Sequence, residues 1–287
     1  MSETRPLADL SAGERLNFLI TNRLPRNALT RFMGWFSKLE NPLIRSLSIG
    51  VWRACVDDLR LFEAKKQSFS SLHDCFVREL KDDARPIDTD AALVSPCDAI
   101  VGEFGDLDGV TALQAKGFPY TLDELLGDAA RAERYRSGRF ITLRLKSSMY
   151  HRFHAPCDGS VDAIDYIAGD TWNVNPIALK VVERLFCRNE RVVVPLTTDD
   201  SQPILLVAVA AILVASVRMH GLGPALNLGY RGPNRLTLDR GYRRGEQMGY
   251  FEHGSTIIVV TDGSLQFCDS LSTGTLIRMG QPLMQRT

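Results

Sequence analysis

Fourteen residues, Ile204–Val217, form the longest apolar run of the chain, broken only by Ser216. A membrane-spanning helix needs about 20 such residues, so the run is too short to span. It is rich in Val, Ile and Ala, and Asp199-Asp200 and Arg218 bound it. It predicts a buried strand with room for a bend.

The surrounding sequence is of the same kind. Short β-rich runs occur at Ala99–Phe104, Phe140–Leu145, Ser160–Ile167, Arg191–Leu196, Thr256–Val260 and Thr275–Met279. Turn signals separate them: Gly105, Asp108-Gly109, Asp158-Gly159 and Asp262-Gly263. A helix is expected over Thr121–Ala132, with Thr121 and Glu124 at capping-box spacing, and another over Leu179–Phe186. The fold class is α+β, a mainly antiparallel β core with peripheral helices.

Residues 15–61 follow a different period. Leu16, Phe18, Leu19, Phe32, Trp35, Phe36, Leu43, Leu47, Val51 and Trp52 recur at three- to four-residue spacing. Pro25 and Pro42 divide this segment into three helices. Residues 1–56 carry eight Lys/Arg against four Asp/Glu; the remainder carries 26 against 30. Basic amphipathic helices bearing Trp and Phe suit a membrane interface. A helical subdomain packed on the core, or a dimer contact, reads equally well from the pattern. We set the division at 1–62 and 63–287.

The charged residues balance at 34 against 34, which argues against a whole-surface nucleic-acid binder. Six cysteines lie no closer than 20 residues apart, without zinc-ligand spacing, so no metal is expected. The opening residues lack the apolar core of a secretory signal, and reduced thiols are the reading.

One internal echo stands out. Ser95-Pro96-Cys97-Asp98-Ala99-Ile100-Val101 resembles Ala155-Pro156-Cys157-Asp158-Gly159-Ser160-Val161, 60 residues on. Two similar corners of a pseudo-symmetric β fold, or chance turn chemistry, account for it alike.

Chemistry concentrates in two segments. Tyr150-His151-Arg152-Phe153-His154-Ala155-Pro156 carries two of the five histidines, and Pro156 keeps it extended or turning. In a strand, positions 151 and 154 face opposite ways, so no shared metal follows. The other segment is Glu252-His253-Gly254-Ser255-Thr256, where a Gly-Ser bond precedes a strand. A serine there can attack the preceding carbonyl if a histidine takes its proton.

Together these segments resemble the phosphatidylserine decarboxylase proenzymes, a pyruvoyl-dependent family. Phe76-Val77-Arg78-Glu79-Leu80 with Arg85-Pro86-Ile87-Asp88 is similar to its FVR-x-L…RPID stretch, and Ser95–Asp98 to its SPADG motif. Gln114-Ala115-Lys116-Gly117 with Tyr120-Thr121-Leu122 is similar to QAKG-x-x-YSL. Tyr150–Pro156 matches YHRxHxP, and Leu185-Phe186 with Arg188–Val193 matches LFxRNERVV. Gly249 with Gly254-Ser255-Thr256 matches the G-x-F-x-x-GST processing site. Two positions depart: His253 replaces the leucine before GST, and Ala99 the glycine after the motif aspartate.

The resemblance implies that Asp98, His154 and Ser255 drive self-cleavage at Gly254-Ser255, in serine-protease logic. It implies a β chain 1–254, an α chain 255–287 and a pyruvoyl group made from Ser255. That group forms a Schiff base with the amine of phosphatidylserine and serves as electron sink for loss of CO2, giving phosphatidylethanolamine. His151 is the candidate for carboxylate handling or protonation in that second step. A lipid substrate favours the interfacial reading of the N-terminal helices. It implies peripheral attachment to an anionic membrane surface at the cytoplasmic face of the cell membrane. A homodimer is the family expectation. Deleting residues 1–56 is expected to weaken liposome binding and spare self-cleavage. The alternatives are a pyruvoyl decarboxylase for another amine, or a non-enzymatic membrane-associated β-domain protein.

Overall fold

The computed structural model describes residues 10–22, 25–56, 58–115, 118–213, 216–252 and 255–286. His253 and Gly254 lie outside the described residues, as do Lys116, Gly117, Val214 and Ala215.

Among the described residues the largest sheet has eight strands, all antiparallel. In spatial order they are Arg235–Tyr242, Gly159–Ile167, Arg191–Thr198, Pro203–Ala210, Ser255–Thr261, Arg139–Leu145, Ala99–Asp106 and Leu276–Ile277. The whole of Ser255–Thr261 is buried. It lies inside the sheet, with Ser255 opposite Ala210 on one side and Leu145 on the other.

Its alternate side chains enter two separate cores. Ile257 and Val259 face one, covered by two smaller sheets; Ile258 and Val260 face the other, covered by helices. The long apolar run is therefore buried on both faces up to Ala210. It then leaves the sheet and re-forms as Ser216–Met219 in a four-stranded sheet, so the expected bend is a change of sheet.

The N-terminal segment forms α1 (Ala12–Asn22), α2 (Arg26–Phe36) and α3 (Pro42–Cys55). Pro25 and Pro42 start the second and third, and Asn41 caps α3 by accepting from Leu43 and Ile44 N–H. A short helix, α4 (Leu72–Phe76), follows. The helix expected over 121–132 is broken into α5 (Leu122–Leu126) and α6 (Ala129–Glu133). Gly127 ends the first at φ +64°, and Asp128 caps the second. Thr121 is the N-cap residue but makes no side-chain cap. The Leu179–Phe186 expectation likewise divides, into α7 (Pro176–Val181) and α8 (Leu185–Arg188).

The arm packs on the core. Phe18 is buried in the helix-side core, and Arg26 pairs with Asp170 at 2.6 Å while lying over the Trp172 ring. Its outer face stays apolar: Leu16, Ile20, Trp35, Leu43 and Leu47 are exposed. No described helix is long and apolar enough to cross a membrane.

The sequence echo is a local pseudo-two-fold. Val94 N–H donates to the Pro156 carbonyl, and His154 N–H donates to the Pro96 carbonyl. Ser95 and Ala155 N–H reach the Gln281 and Glu246 carbonyls, both at 2.8 Å. Asp98 accepts from Met279 N–H at 2.9 Å, and Asp158 from Arg244 N–H at 2.8 Å.

Candidate active site

Strand Arg152–His154 pairs with Gln247–Phe251, the strand that runs toward residue 255. This pairing brings the two-histidine segment against the processing segment, and Phe251 N–H donates to the His151 carbonyl. Gly249 is required by close approach: a Cβ there would meet the Arg218 carbonyl oxygen at 2.1 Å.

Ser255 is fully buried, and its Oγ has no hydrogen-bond partner among the described residues. Burying a hydroxyl unpaired costs about 1–3 kcal/mol. Conversion of this serine to a ketone would remove that cost and break no side-chain hydrogen bond, so the position fits a pyruvoyl precursor.

His154 is held at both ring nitrogens. Nδ1 lies 2.7 Å from the Gly245 carbonyl, an acceptor only, so Nδ1 carries the proton. Nε2 then accepts from the Tyr150 hydroxyl at 2.9 Å. Burial lowers its pKa to about 4, against the opposing Gly245 hydrogen bond and the charge of Asp98. The ring is neutral at physiological pH, as a base must be.

Asp98 does not touch it. The Asp98 carboxylate takes Arg85 in a fork, Nε at 2.9 Å and Nη2 at 2.5 Å, plus Met279 N–H. The second corner shares the backbone contact through Asp158, so that contact belongs to the fold. The Arg85 fork is particular to Asp98. Arg85 also pairs with buried Glu63 at 2.9 Å, which Arg60 and Arg278 reach as well. Burial raises the Glu63 pKa, but hydrogen bonds from Arg60 and Arg85 outweigh it and hold it at about 2. In this structure the hydrogen bond that holds the His154 ring at Nδ1 is to the Gly245 carbonyl. Asp98 acts on His154 through space.

His151 has the opposite arrangement. Nδ1 donates to the Met149 carbonyl at 2.9 Å, while Nε2 is buried without a partner among the described residues. Its ring packs on Phe76 at 4.2 Å, and burial lowers its pKa to about 3. No hydrogen bond joins Ser255 to either histidine.

Several residues that shape the site were not singled out by sequence. Tyr150 and Arg85 stand inside the matched motifs and carried a signal. Glu63 and Gly245 carried none. Ala99 begins a strand with negative φ, so the turn before it needs no glycine. Arg85→Met is expected to strand the buried Asp98 carboxylate and lower stability by about 3 kcal/mol or more, read by urea unfolding.

A cavity of about 1280 Å³ lies beyond the Ser255 end of the sheet. Its walls include Phe36, Leu47 and Trp52 of the arm, and Leu145 and Ala211 from the strand ends beside Ser255. Among the described residues no group of three or more His, Cys, Asp or Glu converges as a metal site.

These features define a class: an α+β protein with a buried, unpaired serine whose strand neighbours line an apolar cavity, and two neutral histidines on the segment that pairs with the processing segment. Residues 72–285 match the family model for phosphatidylserine decarboxylase. The phosphatidylserine decarboxylase proenzyme of Aliivibrio fischeri strain ES114 is 37% identical over 276 residues, covering 90% of this chain and 93% of the relative. That of Chromobacterium violaceum is 36% identical over 283 residues, covering 94% and 99%. That of Vibrio cholerae strain O395 is 36% identical over 277 residues, covering 90% and 94%. The chain belongs to the phosphatidylserine decarboxylase family and is a carboxy-lyase.

Proposed function

We propose that the chain is a self-processing enzyme that decarboxylates phosphatidylserine to phosphatidylethanolamine at the membrane surface. The observation that carries this reading is the cavity. Leu47 and Val51 line it and are also exposed, so it opens onto the apolar outer face of the arm. A lipid leaving a bilayer beneath that face meets an apolar passage that reaches Leu145, the strand partner of Ser255.

In processing, the Ser255 hydroxyl attacks the Gly254 carbonyl and His154 takes its proton. The amide nitrogen leaves the carbonyl carbon, and an ester joins Gly254 to the Ser255 oxygen. Elimination across Cα–Cβ releases the β chain 1–254 as a carboxylic acid. Hydrolysis of the resulting enamine–imine releases ammonia and leaves a ketone on the α chain 255–287. Such a ketone at residue 255 would supply the electron sink for decarboxylation of an amine substrate. His151, whose unengaged Nε2 carries a lone pair, is the group to take up a proton and pass it on in that second reaction. Its neutrality keeps it from pairing with the carboxylate that must leave.

Residues 1–62 serve as the membrane-facing region of a peripheral protein on the cytoplasmic face, and 63–287 as the decarboxylase body. Because Phe18 fills the core, deleting the arm would damage the fold as well as the docking surface. The cleaner test is Trp35→Glu with Leu43→Glu, both exposed. Sedimentation with anionic phosphatidylserine vesicles should show about tenfold or more weaker binding, with self-cleavage unchanged. Unaltered sedimentation would place the docking surface elsewhere.

A further inference from the structure

We propose that Arg144 holds the phosphodiester of the lipid head group in the cavity, which rests on the decarboxylase reading above. Arg144 stands in strand Arg139–Leu145, opposite Thr256 and one residue from Leu145, the partner of Ser255. It lines the cavity. Its guanidinium makes no hydrogen bond or ion pair among the described residues.

Several other covered arginines are matched. Arg26 has Asp170, Arg131 has Asp165, Arg152 has Glu79 and Arg85 has Asp98. Arg78 and Arg191, more deeply buried, use backbone carbonyls. Burial lowers the pKa of Arg144, and no acid opposes that effect. A half-buried cation without a counter-charge costs stability, and a planar guanidinium facing a cavity suits an oxyanion.

The substrate brings two anions, and the chemistry separates them. A cation on the carboxylate would stabilise charge that disappears as CO2 leaves, opposing the reaction. A cation on the phosphodiester acts equally before and during the reaction, so it lowers KM and leaves kcat alone. Side-chain alternation sets Arg144 on the sheet face opposite the Ser255 hydroxyl. The reacting ketone carbon is Cα of residue 255, on the backbone itself, between the two faces.

The test uses the full-length, self-cleaved protein and the variants Arg144→Gln and Arg144→Lys in mixed micelles. Two substrates are compared: phosphatidylserine, and O-dodecanoylserine, which keeps amine and carboxylate but lacks phosphate. The Gln variant should cleave itself normally and show KM for phosphatidylserine raised about tenfold to a hundredfold, with kcat within about threefold. Its activity on O-dodecanoylserine should equal that of the wild type, and Lys should restore part of the KM. Unchanged KM, or equal loss on both substrates, would overturn the assignment. If Gln fails to cleave itself, Lys decides: a KM raised for phosphatidylserine alone supports the proposal, and any other result overturns it. Absence of cleavage and of decarboxylation in the wild type overturns the parent reading instead.

Discussion

Ser255→Ala leaves the chain in one piece of 31.9 kDa and without decarboxylase activity. The effect is all or none, because the variant has no oxygen to attack the Gly254 carbonyl and no Cβ leaving group for elimination. It is also clean. The hydroxyl is buried and unpaired, so its removal breaks no hydrogen bond, and such a change is neutral or stabilising. Urea unfolding should therefore show unchanged or slightly higher stability, while a denaturing gel shows one band. A variant that still separates into two chains would place the nucleophile at another residue.

His154→Ala is expected to slow self-cleavage by about 10²–10⁴-fold, the usual contribution of a positioned base. Pulse-chase labelling of the uncleaved chain measures it. The pH profile follows from the depressed pKa of about 4. The wild-type rate should stay flat from neutrality down to about pH 5 and fall as His154 protonates. Stability follows the same sign. The unfolded histidines take up protons near pH 6.5 while the folded ones, at about 4 and about 3, do not. Stability is thus fully present above the unfolded value and lost as pH falls through the folded values. The hydrogen bond from Tyr150 must open, or pass the proton on, for Nε2 to accept it. His151→Ala is the contrast: normal cleavage with lost decarboxylation. The reverse pair of results would make His151 the base, in keeping with its unengaged nitrogen.

Much of the fold was legible because it rests on local signals. Proline positions set the three arm helices, and β-branched runs set the strands around Ser255. Gly127 and Asp128 divide the helix expected over 121–132 by local turn chemistry, and the other differences are decided by non-local contacts. Nothing local in Ile204–Val217 announces that the chain leaves one sheet for another after Ala210. The strands Arg235–Tyr242 and Gln247–Phe251 lack a strong apolar run and are formed by their partners. The paired Pro-Cys-Asp corners were visible as an echo, but only their crossed hydrogen bonds show them to be one motif.

The site divides in the same way. The family resemblance pointed to Asp98, His151, His154 and Ser255 through the motifs that hold them. The groups that fix their states were hidden. Gly245 acts through a carbonyl every residue has. Glu63 reaches Asp98 only through Arg85. Arg144 matters through an absent partner, which no sequence displays.

The most direct test of the central claim is denaturing mass spectrometry of the purified wild-type protein. Two chains are expected, one ending at Gly254 and one starting at residue 255. The second should be lighter by one ammonia than a fragment starting with intact serine. A single uncleaved chain, or a fragment that begins with unmodified Ser255, would contradict the account.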